Sequence, residues 1–400
     1  MGTATGCSTL HRARLFGARG DRPCARRHQQ GREGDHGRTA GGRCGGACFG
    51  VGTRAGRTWL DTGTVNTALD DRRCLGLEPT TGLCKVTALH VLVIGAGSIG
   101  RRHTENLGTL GARVTLIPWR EFSAQALAVL LAQGDVQGVV IATATQIRLE
   151  LIAVCAAADV PFYVEKPLAF TSAELALIAT AAAPVAHRSM VGFMMRYHPA
   201  FRHLARADLS DTYRFGFEIG HDVTQWRQNW RFSESYAAEA TGGGVLLDLC
   251  HELDMAACLF PGLTLTSADS LGHLAYPGVD MASQIRLTAR GAVGGVAMDY
   301  LAPELIRHIA LRGTETLYEF DLANGRYEIC GRGAAILEFP FNRNDMFLEA
   351  MADFLALMQG KSPSDVEYLP RFDLALPSCA LIASAWEARR FVGFIAKDIP

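Results

Sequence analysis

The chain has 400 residues, about half of them hydrophobic, and a formal charge of −1, enough for two domains with a sizeable core and without an overall nucleic-acid signature. That balance hides two regions, because residues 1–85 carry 14 basic against seven acidic side chains and residues 86–400 carry 25 against 33. No apolar run approaches the roughly 20 residues a membrane-spanning helix needs, so no membrane association is expected.

Residues 1–85 hold 17 of the 42 glycines and six of the 11 cysteines, with few apolar clusters and no sustained period. Such a stretch should not fold alone. It lacks the apolar core of a secretory signal, and its glycines spoil a transit-peptide helix. His36, Cys44 and Cys48 are not followed by a second ligand pair at zinc spacing. An arginine-rich arm touching nucleic acid is the alternative, but charge runs are more often simply solvated. Arg, Gly, Ala and Cys dominate as they would if GC-rich DNA upstream of a start near Val86 were translated. No Met lies between Met1 and Met190. The expectation is an unstructured or artefactual leader that fold and activity do not need. The other cysteines (155, 250, 258, 330 and 379) are scattered and odd in number, which argues for reduced thiols and a cytoplasmic protein.

From residue 86 the pattern becomes ordered. Val91-Leu92-Val93-Ile94 reads as a strand buried on both faces. Gly95-Ala96-Gly97-Ser98-Ile99-Gly100 then supplies G-x-G-x-x-G where strand gives way to a helix over 98–110. Gly95 permits a tight turn, Gly97 lets a pyrophosphate approach the backbone, and Gly100 lets helix and strand pack closely. The alternative is a purely structural glycine turn. A second strand spans 113–117, and beyond it a fold that prefers NAD places an acid on the ribose hydroxyls. Here Pro118-Trp119-Arg120-Glu121 follows, and the Arg120 guanidinium suits the 2′-phosphate of NADP. Trp119 or Arg120 could also cover the adenine, whereas a one-residue shift to Glu121 would favour NAD. Helix 124–131, strand 136–141, Ala142-Thr143-Ala144-Thr145, helix 149–158, strand 160–164, Glu165-Lys166-Pro167, helix 171–182 and strand 189–193 continue the alternation. The implied domain, 86–195, is a doubly wound parallel sheet of Rossmann type with helices on both faces.

G-A-G-S-I-G, A-T-A-T, V-E-K-P-L and G-F-M-M-R-Y-H-P-A, in that order, resemble the Gfo/Idh/MocA family of glucose–fructose oxidoreductase and inositol dehydrogenase relatives. The resemblance covers roughly residues 87–390. It implies that Lys166 sits near the nicotinamide and the reacting carbon, and that Ala142, Thr143, Thr145 and Glu165 border the cofactor. The chain has four lysines beside 35 arginines, and a tunable ammonium can donate where a guanidinium hardly titrates. One departure stands out: Ala144 and Arg148 replace the Pro and His of the family's A-T-P-x-x-x-H. Contacts from position 148 to ribose or substrate are therefore in doubt.

From Arg196 the elements change. Strands at 213–219, 284–289, 294–298, 308–312 and 316–320 lack intervening helices, which predicts a largely antiparallel sheet in an α+β substrate domain, 196–400. Helices near 244–260, 344–359 and 371–390 should cover it, a late one packing back on the first domain. Gly242-Gly243-Gly244 reads as a loop entering the first of these helices, on which Asp248 and His251 stand at i and i+3 and can interact. That pair suits acid–base work, with Asp254 a packing or supporting acid. It also resembles the family's G-G-G-x-x-x-D…H-x-x-D, although many members space the aspartate and histidine by four. His-Glu-x-x-His spacing is absent, so no metal is read.

Trp226, Arg227, Arg231 and Tyr236, with Arg196 and Tyr197 at the domain junction, are expected to offer aromatic faces to sugar rings and guanidinium groups to phosphate or carboxylate. A core Trp with surface arginines is the even alternative, and the negative charge of the second region argues against nucleic acid. The sequence thus predicts an NAD(P)-dependent oxidoreductase, using NADP or NAD on a secondary alcohol or ketone of a sugar, cyclitol, sugar acid or nucleotide sugar. Lys166, Asp248 and His251 are its expected catalytic residues, with His251 the general base titrating near neutrality and Asp248 orienting it. A lyase or glycosidase that recycles a bound nucleotide, and a non-catalytic nucleotide sensor, are the alternatives. A homo-oligomer through the C-terminal sheet is expected.

Overall fold

A computed structural model describes residues 88–226, 231–363 and 367–399. The expectations for residues 1–85 and for Arg227 concern residues outside these.

The first sheet is built as the alternation predicts. In chain order it contributes β1 (His90–Ile94), α1 (Ser98–Thr109), β2 (Arg113–Ile117), α2 (Ala124–Ala132), β3 (Gly138–Ile141), α3 (Arg148–Ala157), β4 (Phe162–Val164), α4 (Ser172–Ala182) and β5 (Met190–Val191). All neighbours are parallel, in the order β2-β1-β3-β4-β5. β1 and β3 are buried along their whole length, as apolar strands covered by helices on both faces must be. Side-chain caps start two of the helices: Ser123 accepts from the Ala126 N–H at 3.2 Å and Thr171 from that of Glu174 at 3.2 Å. β5 is shorter than expected, because the chain turns at Phe193 into a 3-10 helix over Met194–Tyr197.

The second sheet follows α5 (Pro199–Arg206). It comprises β6 (Thr212–Gly220), then, after α6 (Val245–Asp248) and α7 (His251–Leu259), β7 (Thr264–His273), β8 (Asp280–Ala289), β9 (Ala292–Asp299), β10 (Ile306–Gly313), β11 (Thr316–Asp321), β12 (Arg326–Gly331) and β13 (Ala335–Leu337). α8 (Arg343–Met358) and α9 (Phe372–Glu387) precede the last strand, β14 (Arg389–Ile395). The order is β13-β12-β11-β10-β6-β9-β8-β7-β14, with only β6–β9 and β7–β14 parallel, so the largely antiparallel expectation stands.

Two helix expectations are corrected. The helix expected over 371–390 ends at Glu387, and residues 389–395 pair with β7 instead. The helix expected over 244–260 is two, separated by a turn at Leu249 and Cys250. α8 and α9 both pack back on the first sheet's layer. The Asn344 amide donates to Asn106 on α1 at 2.8 Å, Phe372 meets Phe162 edge-on at 5.4 Å, and the Ser172 hydroxyl donates to Glu387 at 2.6 Å.

Candidate active site

The carboxyl ends of the parallel strands form one continuous edge. Beyond each strand a backbone N–H reaches the last carbonyl of its neighbour: Gly95 to Ile117 and Ala142 to Ile94 at 2.8 Å, Glu165 to Ile141 at 3.0 Å. Because β2 lies on one side of β1 and β3 on the other, this edge is the switch point where open α/β sheets bind ligands. Gly95, Gly97, Ser98, Ile99, Gly100, Ala142, Thr143, Thr145, Glu165 and Lys166 are gathered along it, with Trp119 and Arg120 just past β2.

The glycine loop fits a pyrophosphate. Gly95 has φ +111°, and a Cβ there would lie 2.3 Å from the Ala142 carbonyl oxygen. A Cβ at Gly100 would lie 1.8 Å from the Gly95 oxygen, so strand and helix can approach only without one. At Gly97 a Cβ would meet nothing within 4 Å, which is open space where phosphate must come close. α1 begins there with no side-chain cap and no acid in its first turn, so its N–H groups face that space. Arg120 is exposed on a short 3-10 turn.

Lys166 reaches from the end of β4 to the second sheet's helices. Its Nζ donates to the Asp248 carbonyl at 2.5 Å and lies 3.6 Å from Asp248 Oδ1. Burial works against its charge, but the Asp248 and Glu165 carboxylates outweigh it and hold the ammonium above the usual lysine range. Tyr236 donates to Asp248 Oδ1 at 2.6 Å while its ring stays largely exposed, and buried Tyr300 donates to Oδ2 at 3.0 Å. Lys166, Asp248 and Tyr236 thus form one cluster. Asp248 stands where it does because Asp280 accepts from the Leu246 N–H at 2.9 Å and so fixes the start of α6.

The expected Asp248–His251 pair is corrected. The turn between α6 and α7 removes the i, i+3 geometry, Asp248 is engaged by the two tyrosines and Lys166, and His251 Nδ1 is buried without a hydrogen-bond partner. Nor does His251 titrate near neutrality. Burial, followed by the charges of Lys166, Arg307 and Arg343, pushes it well below the usual histidine range.

Other expected substrate residues are elsewhere. Arg196 is buried with Nη2 2.6 Å from Asp254, its Nε also on that carboxylate, and a cation–π contact to Phe193, which in turn meets His251 edge-on at 6.4 Å. Tyr197 is buried and donates to Asp353 at 2.9 Å. These two support the site from behind rather than facing a ligand. Arg231 is exposed beside Glu234, and Trp226 packs edge-on to Tyr300 at 5.4 Å, one layer behind Asp248.

Two residues went unforeseen. His103 on α1 holds Glu165, Nε2 to Oε1 at 2.7 Å, and with Lys166 and Arg148 keeps that carboxyl below its usual range against the effect of burial. It stands three residues after Gly100 on the buried stripe Gly100, His103, Asn106 and Leu107, so helical periodicity alone could have placed it facing the sheet. Tyr300, 52 positions from Asp248, had no such signal.

No family model matches the chain. An inositol 2-dehydrogenase from Acidothermus cellulolyticus is 30% identical over 190 residues, 43% of this chain and 54% of the relative, so the match spans about half of that protein's length. A solved levoglucosan dehydrogenase in complex with NADH and levoglucosan superposes with a TM-score of 0.61 at 20% identity, covering 75% of this chain and 96% of that one. A 3-ketoreductase from Actinomadura kijaniata, in complex with NADP and TDP-benzene, gives 0.59 at 17% identity over 77% of this chain and all of the other. By the order of its strands and the placement of its glycine loop and Glu165-Lys166-Pro167, this chain has the two-sheet fold of the solved levoglucosan dehydrogenase and 3-ketoreductase.

Proposed function

We propose that this chain is a nicotinamide-nucleotide-dependent dehydrogenase or reductase acting on a secondary alcohol or ketone of a sugar, cyclitol, sugar acid or nucleotide sugar. The observation that carries the reading is Lys166, its ammonium against Asp248 at the edge whose first loop accommodates a pyrophosphate. The inositol 2-dehydrogenase, the levoglucosan dehydrogenase and the 3-ketoreductase that this chain resembles support it. When bound, the nucleotide supplies the hydride acceptor or donor. Gly95, Gly97, Ser98, Ile99 and Gly100 would hold its phosphates, Trp119 and Arg120 its adenosine end, and Ala142, Thr143, Thr145 and Glu165 would border the nicotinamide. Lys166 donates to the reacting oxygen and stabilises negative charge there, remaining an ammonium because Asp248 and Glu165 favour that form. His251, neutral around pH 7, takes the hydroxyl proton in one direction and returns it in the other. Tyr236, anchored on Asp248, orients the substrate.

The test is turnover of polyols, sugar acids and nucleotide sugars followed by reduced-nicotinamide absorbance, with mass spectrometry of any nucleotide retained on purification. Stoichiometric conversion of one of these supports the reading. Conversion of a substrate with bound nucleotide and no net redox change overturns it in favour of a lyase or glycosidase.

Arg120 stands where an NAD-type acid would meet the ribose, and a charge-assisted contact to a 2′-phosphate is worth about one to two decades of affinity. NADP is therefore expected to bind about tenfold or more tighter than NAD, with Arg120→Asp reversing the order. Equal dissociation constants in calorimetry, unchanged by the substitution, would refute it.

The five described cysteines are free thiols, which fits a reducing cytoplasm. Among the described residues no helix is long and apolar enough to cross a membrane. A second copy is the partner that best suits the second sheet, where Tyr213 and Val293 stand 47% and 57% exposed. Sedimentation should find a dimer or larger assembly, and a monomer at micromolar concentration would sink this part.

A further inference from the structure

Arg148 occupies the first position of α3, where the family pattern has histidine, and only 4% of it is exposed. Among the described residues its guanidinium forms no ion pair with a carboxylate. Instead Nη2 donates to the Thr143 carbonyl at 2.8 Å, and Nη1 to the carbonyls of Glu165 and Pro167. One side chain therefore ties the loop after β3 to the backbone on both sides of Lys166. Burial lowers its pKa to about 10, with the Glu165 carboxylate opposing the shift. Burying a cation among neutral carbonyls is costly and no stronger partner is used. Any apolar side chain would fill the volume more cheaply, but none could hold three carbonyls from two loops.

We propose that Arg148 is a positioning residue, a guanidinium clamp that sets the backbone flanking Lys166 and so fixes where its ammonium stands relative to Asp248 and the reacting carbon. The inference rests on the dehydrogenase reading for its kinetic consequence, though not for its structural one. A displacement of about an ångström at a reacting group costs roughly 10²-fold in rate. Arg148→Lys, which keeps the charge but cannot span three carbonyls, should lose kcat by about that factor while the nucleotide Kd and the KM stay within about threefold of the parent. In Arg148→Ala, millimolar guanidinium should restore part of the turnover, which a role in bulk packing would not allow.

A second readout needs no turnover. The chain has four lysines, at 85, 166, 361 and 397, so competitive acetylation followed by peptide mass spectrometry resolves Lys166 individually. Lys166 should react about tenfold faster in Arg148→Lys, which keeps the neighbouring cation, because the free-amine fraction rises when the Asp248 carboxylate is no longer held in register with it. The other lysines should be unchanged. Should Arg148→Ala not fold, Arg148→Lys decides alone. Folded variants with parental kcat and parental Lys166 labelling overturn the clamp. A parent without nicotinamide turnover overturns the dehydrogenase reading, and labelling then decides the clamp by itself.

Discussion

Lys166→Ala is expected to lose turnover by about 10²–10⁴ while still binding nucleotide, because proton-transfer and charge-stabilising groups typically contribute that much. Its ammonium is held above the ordinary lysine range and lies against Asp248, so removal takes away the cation proposed to meet the reacting oxygen. His251→Ala should fall by a similar order if that imidazole moves the proton. The pH profile separates the two. A base depressed well below the usual range is already neutral as the pH falls from about 8 to about 6.5, so kcat/KM should hold over that interval and drop only in more acid solution. Calorimetry would confirm that both variants bind nucleotide, and steady-state rates within a few-fold of the parent would show that the chemistry lies elsewhere.

Asp254→Ala is expected to cost about 3–5 kcal/mol of stability, the typical penalty for stripping one partner from a buried ion pair. Arg196 and Asp254 side chains are 3% and 0% exposed, and the guanidinium spends both Nε and Nη2 on this carboxylate. Burial disfavours the Arg196 charge, and it is Asp254 that restores it. Without the acid, a cation would remain in the core beneath Phe193 and His251. Replacing both partners with apolar residues of similar volume should recover most of the loss. Urea melts of the single and double variants measure this, and a single-variant loss below about 1 kcal/mol would mean the pair is solvated or dispensable.

Neighbouring residues alone determined most of the first sheet and its helices, and much of the nucleotide edge. β2 over Arg113–Ile117 and helices expected from 98, 124 and 171 were legible because apolar period and glycines act within a turn or two of the chain. The glycine loop and Glu165-Lys166 were legible for the same reason: each lies where a strand ends, and parallel topology brings strand ends to one edge. Contacts between distant segments decided the rest. The helix expected over 371–390 stops at Glu387, and residues 389–395 become β14 because β7 offers an edge to pair with more than a hundred positions away. The turn at Leu249 and Cys250 separates Asp248 from His251, and Asp248 is claimed by Tyr300 and Lys166, which no spacing along the chain relates to it. Arg196 and Arg231 look alike in sequence, one beside Tyr197 and the other beside Phe232. Only the fold puts Asp254 against the first and leaves the second in water, since whether a guanidinium is buried depends on what the rest of the chain brings to it.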